Sequence, residues 1–164
     1  MRATPDRALE HLAARYSFQL LGIAMGQLHD WQLAEEVVQD VLYRAYCLLV
    51  RGRPVTRAWL ARGVILASRT EGRRPWRRRQ VVTAPEDLRE TPHALADHGL
   101  LEAVQTLPRS YREVTLLHYW AGFDVRETAR LLHIPEGTVK SRLARSRERL
   151  RRWLVADAEE VWHD

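Results

Sequence analysis

The densest chemistry in this chain lies in a short run, Lys140-Ser141-Arg142 with Arg145 close behind, introduced by Pro135-Glu136-Gly137-Thr138-Val139. Arginine and lysine donate to the guanine edge, serine is a more permissive partner, and the basic groups also grip phosphate. The run continues through Arg147, Arg149, Arg151 and Arg152, opposed only by Glu136 and Glu148. A polyanion is the partner such a run fits. Lys140 is the single lysine among 26 basic residues, so the rest are arginines, whose planar forks stay charged at any working pH. A GC-rich genome also favours arginine, but it does not explain the clustering. The same pattern suits a solvated basic face on a helical hairpin, and the elements around it must decide.

A second cluster is acidic. Glu35, Glu36, Gln39 and Asp40, with Tyr43 and Arg44, interrupt an apolar series formed by Ala34, Val37, Val38, Val41, Ala45 and Leu48. That spacing predicts a helix near Gln32 to Val50 with one face packed and the other open to a partner. Glu35, Glu36 and Asp40 are the nearest approach to a magnesium site, although carboxylates alternating with a helical core more simply form a solvated or protein-binding face.

Catalytic constellations do not assemble. The histidines at 11, 29, 93, 98, 118, 133 and 163 show no repeated pairing with carboxylates, and His93 and His98 are expected in a linker. There is no glycine-rich phosphate loop, and Ser110, Ser141 and Ser146 lie in helical patterns without an evident base. No enzyme activity, cofactor or metal is therefore expected. Cys47 stands alone, which rules out an internal disulfide, fits a reducing compartment and suggests a small buried apolar group. Arg2, Asp6, Arg7 and Glu10 occupy the N-terminal stretch where a signal peptide would need apolar residues, and no stretch reaches membrane-spanning length. A cytoplasmic protein without membrane insertion is expected.

The elements that position these residues are helical throughout, because apolar residues recur at spacings of three and four and alternating strand patterns are missing. A first helix is expected from about Asp6 to Leu28, where Gly22 and Gly26 either admit a close neighbour or mark a bend. Asp30 should cap the second helix and Thr56 a third that begins Arg57-Ala58-Trp59-Leu60 and runs toward Arg73, with Arg51 to Val55 as the intervening loop. Trp59 is expected in the core. Trp76, set among Arg73, Arg74, Arg77, Arg78 and Arg79, either meets single-stranded nucleic acid or contacts nothing.

Charge divides the chain in the same places. Residues 1 to 80 hold 14 basic and 7 acidic side chains, residues 81 to 100 hold 1 and 4, and residues 101 to 164 hold 11 and 10. Two small helical domains, 1–80 and 97–164, are expected on either side of a linker at 81–96 that contains Pro85 and Pro92. In the second domain, Asp124 and Glu127 form a capping box for a short helix ending at His133-Ile134-Pro135, after which a longer helix begins. Helix, tight turn and helix in about thirty residues make a helix-turn-helix, with Ala129 at the crossing and Val139, Leu143, Ser146, Leu150 and Trp153 as the buried seam. Lys140, Ser141, Arg142 and Arg145 then project elsewhere, near the helix end that enters a major groove.

At these residues the chain resembles a known family. Leu107-Pro108-Arg109-Ser110-Tyr111-Arg112-Glu113-Val114, Thr128-Ala129-Arg130-Leu131-Leu132 and Pro135-Glu136-Gly137-Thr138-Val139-Lys140-Ser141-Arg142-Leu143-Ala144-Arg145 are similar to region 4 of extracytoplasmic-function sigma factors, of the sigma-70 family. Independently, Ala34-Glu35-Glu36-Val37-Val38-Gln39-Asp40-Val41-Leu42-Tyr43-Arg44-Ala45-Tyr46 resembles their region 2.

The resemblance implies a subunit that binds core RNA polymerase, through a coiled coil of its largest subunit and its flap, and directs it to promoter DNA. It places polymerase binding on Glu36, Gln39, Asp40 and Arg44. Minus-ten recognition falls on the loop and third helix, with Arg51, Arg53, Arg57, Arg62 and Arg69 as the DNA-facing cations. Minus-thirty-five recognition falls on Arg126, Thr138, Lys140, Ser141, Arg142, Ala144 and Arg145, where Ala144 could meet a thymine methyl. It also allows an anti-sigma partner. The chain departs from the family after Ala58-Trp59-Leu60, where Ile65-Leu66 and Thr70 replace an arginine-asparagine pair and a later aspartate. That departure opens an alternative: a sigma-like adaptor or helix-turn-helix regulator that binds without melting DNA.

Overall fold

The computed structural model describes residues 4–71 and 98–161, with residue 98 and residues 157–161 as backbone alone. The linker expected at 81–96, the arginine cluster from Arg73 to Arg79, Trp76 and His93 lie outside the described residues. All regular structure within them is helical, and the chain divides into two compact units, Met1–Ala84 and Pro85–Asp164.

The first unit is built from α1 (Pro5–Leu28), α2 (Trp31–Val50) and α3 (Arg57–Glu71). Each start has a local cause. The Thr4 hydroxyl accepts from the Arg7 N–H at 3.5 Å with Pro5 in the first turn, Asp30 accepts from the Leu33 N–H at 2.9 Å, and Thr56 accepts from the Trp59 N–H at 3.2 Å. These side chains satisfy donors that the first turn of a helix leaves without partners. His29 ends α1 in the left-handed region at φ 56°, its N–H bonded to the Met25 carbonyl, so the chain reverses within two residues. Gly22 and Gly26 are both buried inside an unbroken α1.

Leu20, Ile23 and Ala24 of α1, Val37, Val38, Val41 and Ala45 of α2, and Leu60, Ala61, Val64 and Ile65 of α3 form the core of this unit. α3 comes close to α2 at Gly63, where an added Cβ would stand 3.0 Å from the Val41 Cγ1. Trp59 is half-buried, not a core residue as its spacing suggests, and Cys47 is likewise half-buried.

The second unit contains α4 (His98–Thr106), α5 (Arg109–Thr115), a π-helical turn over Leu116–Trp120, α6 (Val125–Leu132) and α7 (Glu136–Val161). His98, expected in the linker, instead opens α4. The Arg112 guanidinium donates to the Leu107 carbonyl from both Nε, at 3.2 Å, and Nη2, at 3.0 Å, and ties down the α4–α5 connection. Burial of that guanidinium lowers its pKa. Beyond the π turn, Gly122 adopts φ 71° and the His118 ring nitrogen Nδ1 meets the Phe123 carbonyl at 2.7 Å, closing the loop before α6.

Two substitutions test these causes. Gly63→Leu should cost about 1 to 3 kcal/mol, because Val41 is itself buried and the extra volume has no room; Asp124→Ala should cost about 1 kcal/mol by removing the cap of α6. Thermal unfolding followed by circular dichroism should show a lower midpoint for each.

Candidate nucleic-acid and protein interfaces

The helix-turn-helix is made by α6 and α7. Asp124 accepts from the Glu127 N–H at 2.7 Å while the Glu127 carboxylate accepts from the Asp124 N–H at 2.8 Å, the reciprocal box that the sequence predicts. α6 ends on His133, left-handed at φ 53°, with the Ile134 N–H returning to the Ala129 carbonyl at 3.1 Å. The Pro135 carbonyl then accepts from the N–H groups of Thr138 and Val139, at 3.0 and 3.1 Å, and starts α7. Three residues thus turn the chain between two helices.

Val139 and Leu143 of α7 pack with Ala129 of α6 and Val114 of α5 in a buried cluster. Ser146 continues the seam, fully buried, and its hydroxyl is placed to donate to the Arg142 carbonyl at 2.8 Å, with the Tyr111 carbonyl a longer partner at 3.4 Å. Leu150 and Trp153 are half-buried, so the seam loosens toward the C-terminal end of α7.

With that seam inward, Lys140, Ser141, Ala144 and Arg145 are exposed, as is Arg126 on α6, while Thr138 and Arg142 are half-buried. The Ser141 hydroxyl donates to the Thr138 carbonyl at 3.1 Å. Three arginines of α7 engage tyrosines that sequence reasoning did not single out, two of them by hydrogen bonds. Arg145 Nη1 donates to the Tyr111 hydroxyl at 3.4 Å, and Arg147 Nη1 donates to the Tyr119 hydroxyl at 2.7 Å. The Arg149 guanidinium lies over the Tyr111 ring, 5.3 Å from its centroid. The hydrogen bond from Arg145 holds the Tyr111 hydroxyl below its ordinary pKa and raises that of Arg145. These partners are separated by 34 and 28 residues, so no local spacing could announce them.

The acidic face of α2 forms a second candidate surface. Glu36, Gln39, Asp40, Tyr43 and Arg44 are all exposed, Tyr43 at 67%, and Arg44 Nη2 pairs with Asp40 at 2.7 Å. Beside them runs a groove of about 410 Å³ whose α2 wall is Leu33, Glu36, Val37, Asp40 and Arg44, and whose α3 wall includes Leu66 and Thr70. Leu66 is 41% exposed there, whereas Ile65 is buried in the core. The Thr70 hydroxyl donates to the Leu66 carbonyl at 3.3 Å. Arg51 and Arg53 are exposed in the loop before α3, where Gly52 takes φ 71°, and Arg57, Arg62 and Arg69 are half-buried along α3.

Among the described residues no group of three His, Cys, Asp or Glu side chains could hold a metal ion, and no helix is long and apolar enough to cross a membrane.

Comparison with known proteins gives the family of the chain. Residues 98–150 match the profile of Sigma-70, region 4. Over 162 residues the chain is 30% identical to the RNA polymerase sigma-H factor of Pseudomonas aeruginosa, covering 87% of this chain and 83% of that one. It is 35% identical over 160 residues to the ECF RNA polymerase sigma factor SigL of Mycobacterium tuberculosis, covering 87% and 82%. Among solved structures, CnrH in complex with the cytosolic domain of CnrY aligns with a TM-score of 0.69 and 27% identity over 93% of this chain and 90% of that one. The sigma factor RpoE bound to the anti-sigma factor NepR, from Bartonella quintana, shares the fold with a TM-score of 0.70 and 22% identity, covering 90% and 99%. With a region 4 helix-turn-helix and relatives matched across most of its length, the chain belongs to the extracytoplasmic-function RNA polymerase sigma factors, which act in transcription initiation.

Proposed function

We propose that this sigma factor divides its work between residues 1–80, which capture core polymerase and act at the minus-ten element, and residues 97–164, which read the minus-thirty-five element. The observation that carries the reading is the exposure of Lys140, Ser141, Ala144 and Arg145 on one helix whose opposite side is sealed by Val139, Leu143 and Ser146. A helix held in this way can present its second and third turns to a major groove, with Arg126 of α6 beside the backbone. Glu36, Gln39, Asp40 and Arg44 offer the matching surface to polymerase, through a coiled coil of its largest subunit, while its flap receives the C-terminal domain. The bond-making chemistry belongs to the polymerase. The setting is the cytoplasm, and an anti-sigma factor would act by covering one of these surfaces.

Promoter opening is part of the proposal. Ile65 fills the core and Leu66 lines the groove beside α2, so the departures from the family pattern fall at the core and beside the proposed polymerase face. That placement favours a chain that still melts DNA over an adaptor that only binds. Arg51 and Arg53, with Arg57, Arg62 and Arg69, would supply the cations along the opened strand, since contacts to the backbone do not depend on sequence.

Two measurements check the division of labour. Asp40→Ala should weaken capture of core polymerase at least tenfold, yet change stability by less than about 0.5 kcal/mol, because its partner Arg44 is exposed; unchanged polymerase affinity would remove the assignment of α2. On a promoter mapped from transcript starts after induced expression, holoenzyme should make thymines near the start site reactive to permanganate. Specific binding with no reactive thymine would establish the adaptor instead.

A further inference from the structure

Two cations of α7 converge on the Tyr111 side chain. Its hydroxyl accepts from Arg145, its ring lies beneath Arg149, and its backbone carbonyl is within reach of the buried Ser146 hydroxyl. Arg145 and Arg149 stand one helical turn apart, where like charges repel and free side chains would splay. Tyr111 counters that tendency with a lone pair for one guanidinium and a π face for the other. Arg142 adds a third positive charge to the field at the same hydroxyl.

Resting on the reading that α7 faces duplex DNA, we propose that Tyr111 is a positioning residue that gathers Arg145 and Arg149 into a clamp for one DNA backbone phosphate. A guanidinium that reads guanine extends alone toward O6 and N7 in the plane of the base. Arg145 instead bends back to α5, spends one donor on the phenol and lies beside a second cation, a grouping whose remaining donors suit a tetrahedral anion. Base contacts then fall to Lys140 and Ser141, and Arg145 sets the register in which they are made. Arg145, one of the residues expected at the minus-thirty-five element, then acts there independently of sequence.

The test uses the full chain and 30-base-pair duplexes, one a random-sequence pool and several of fixed sequence, with binding followed by fluorescence anisotropy across a salt series. Tyr111→Phe keeps the ring under Arg149 and removes the hydroxyl bond to Arg145. It should weaken binding two- to five-fold by the same factor on every duplex, and should add nothing in an Arg145→Ala background. Arg145→Ala and Arg149→Ala, both at exposed positions, should each reduce the slope of log affinity against log salt by about one while preserving the ranking of sequences.

A Tyr111→Phe protein that binds like the parent would overturn the proposal. So would an Arg145→Ala protein whose loss depends on sequence, since that outcome makes Arg145 a base reader. Failure of the unaltered chain to bind any duplex at low salt would strike the assignment of α7 itself, a result distinct from either.

Discussion

The packing of Val139, Leu143 and Ser146 along one line of α7 determines which of its side chains can meet a partner. Because those three positions are sealed against α5 and α6, the rotation of the helix is fixed, and a turn of one residue would bury a cation in place of a valine. The small Ala129 lets α6 approach, the capping box and the left-handed His133 hold the angle, and Ser146 satisfies its buried hydroxyl on a backbone carbonyl. The proposed reading of DNA by α7 depends on this apolar register before any arginine is considered. Polar groups on a loosely rotated helix could attract a polyanion, but they could not keep a base edge in line.

α2 follows the same logic with the charge reversed. Its apolar stripe is buried by α1 and α3, and the close approach at Gly63 draws α3 near enough for Leu66 and Thr70 to form the other wall of a groove beside Glu36 and Asp40. The surface proposed for polymerase is thus partly a product of α3, an element otherwise proposed to meet DNA. The two walls belong to neighbouring helices of one three-helix core.

Most of this architecture is legible in the residues because its causes are local. Asp30, Thr56 and the Asp124–Glu127 pair announce helix starts by side-chain chemistry that acts over three residues, and the stripe from Ala34 to Ala45 announces a buried face by its period. Residues 98–123 are less readable: two short helices and a π turn replace any long periodic run, and a π turn shifts the period that would reveal it. Trp59 shows the limit of composition, since a large ring at helical spacing beside Leu60 is half-buried here. The tyrosine partners of Arg145, Arg147 and Arg149 are hidden for a different reason. They depend on tertiary packing of α7 against elements about thirty residues away, and no spacing rule reaches that far.

Lys140 carries a consequence of its own. It is the only side-chain primary amine in the chain and it stands exposed near the N-terminal end of α7, surrounded in sequence by guanidinium groups. Among side chains, acylating reagents that ignore guanidinium are therefore directed to Lys140, the backbone α-amino group being the other amine they meet, and a fluorophore or photoreactive group attached to Lys140 would report from the second turn of the helix. An arginine-rich composition has left the molecule with a single side-chain address for amine labelling.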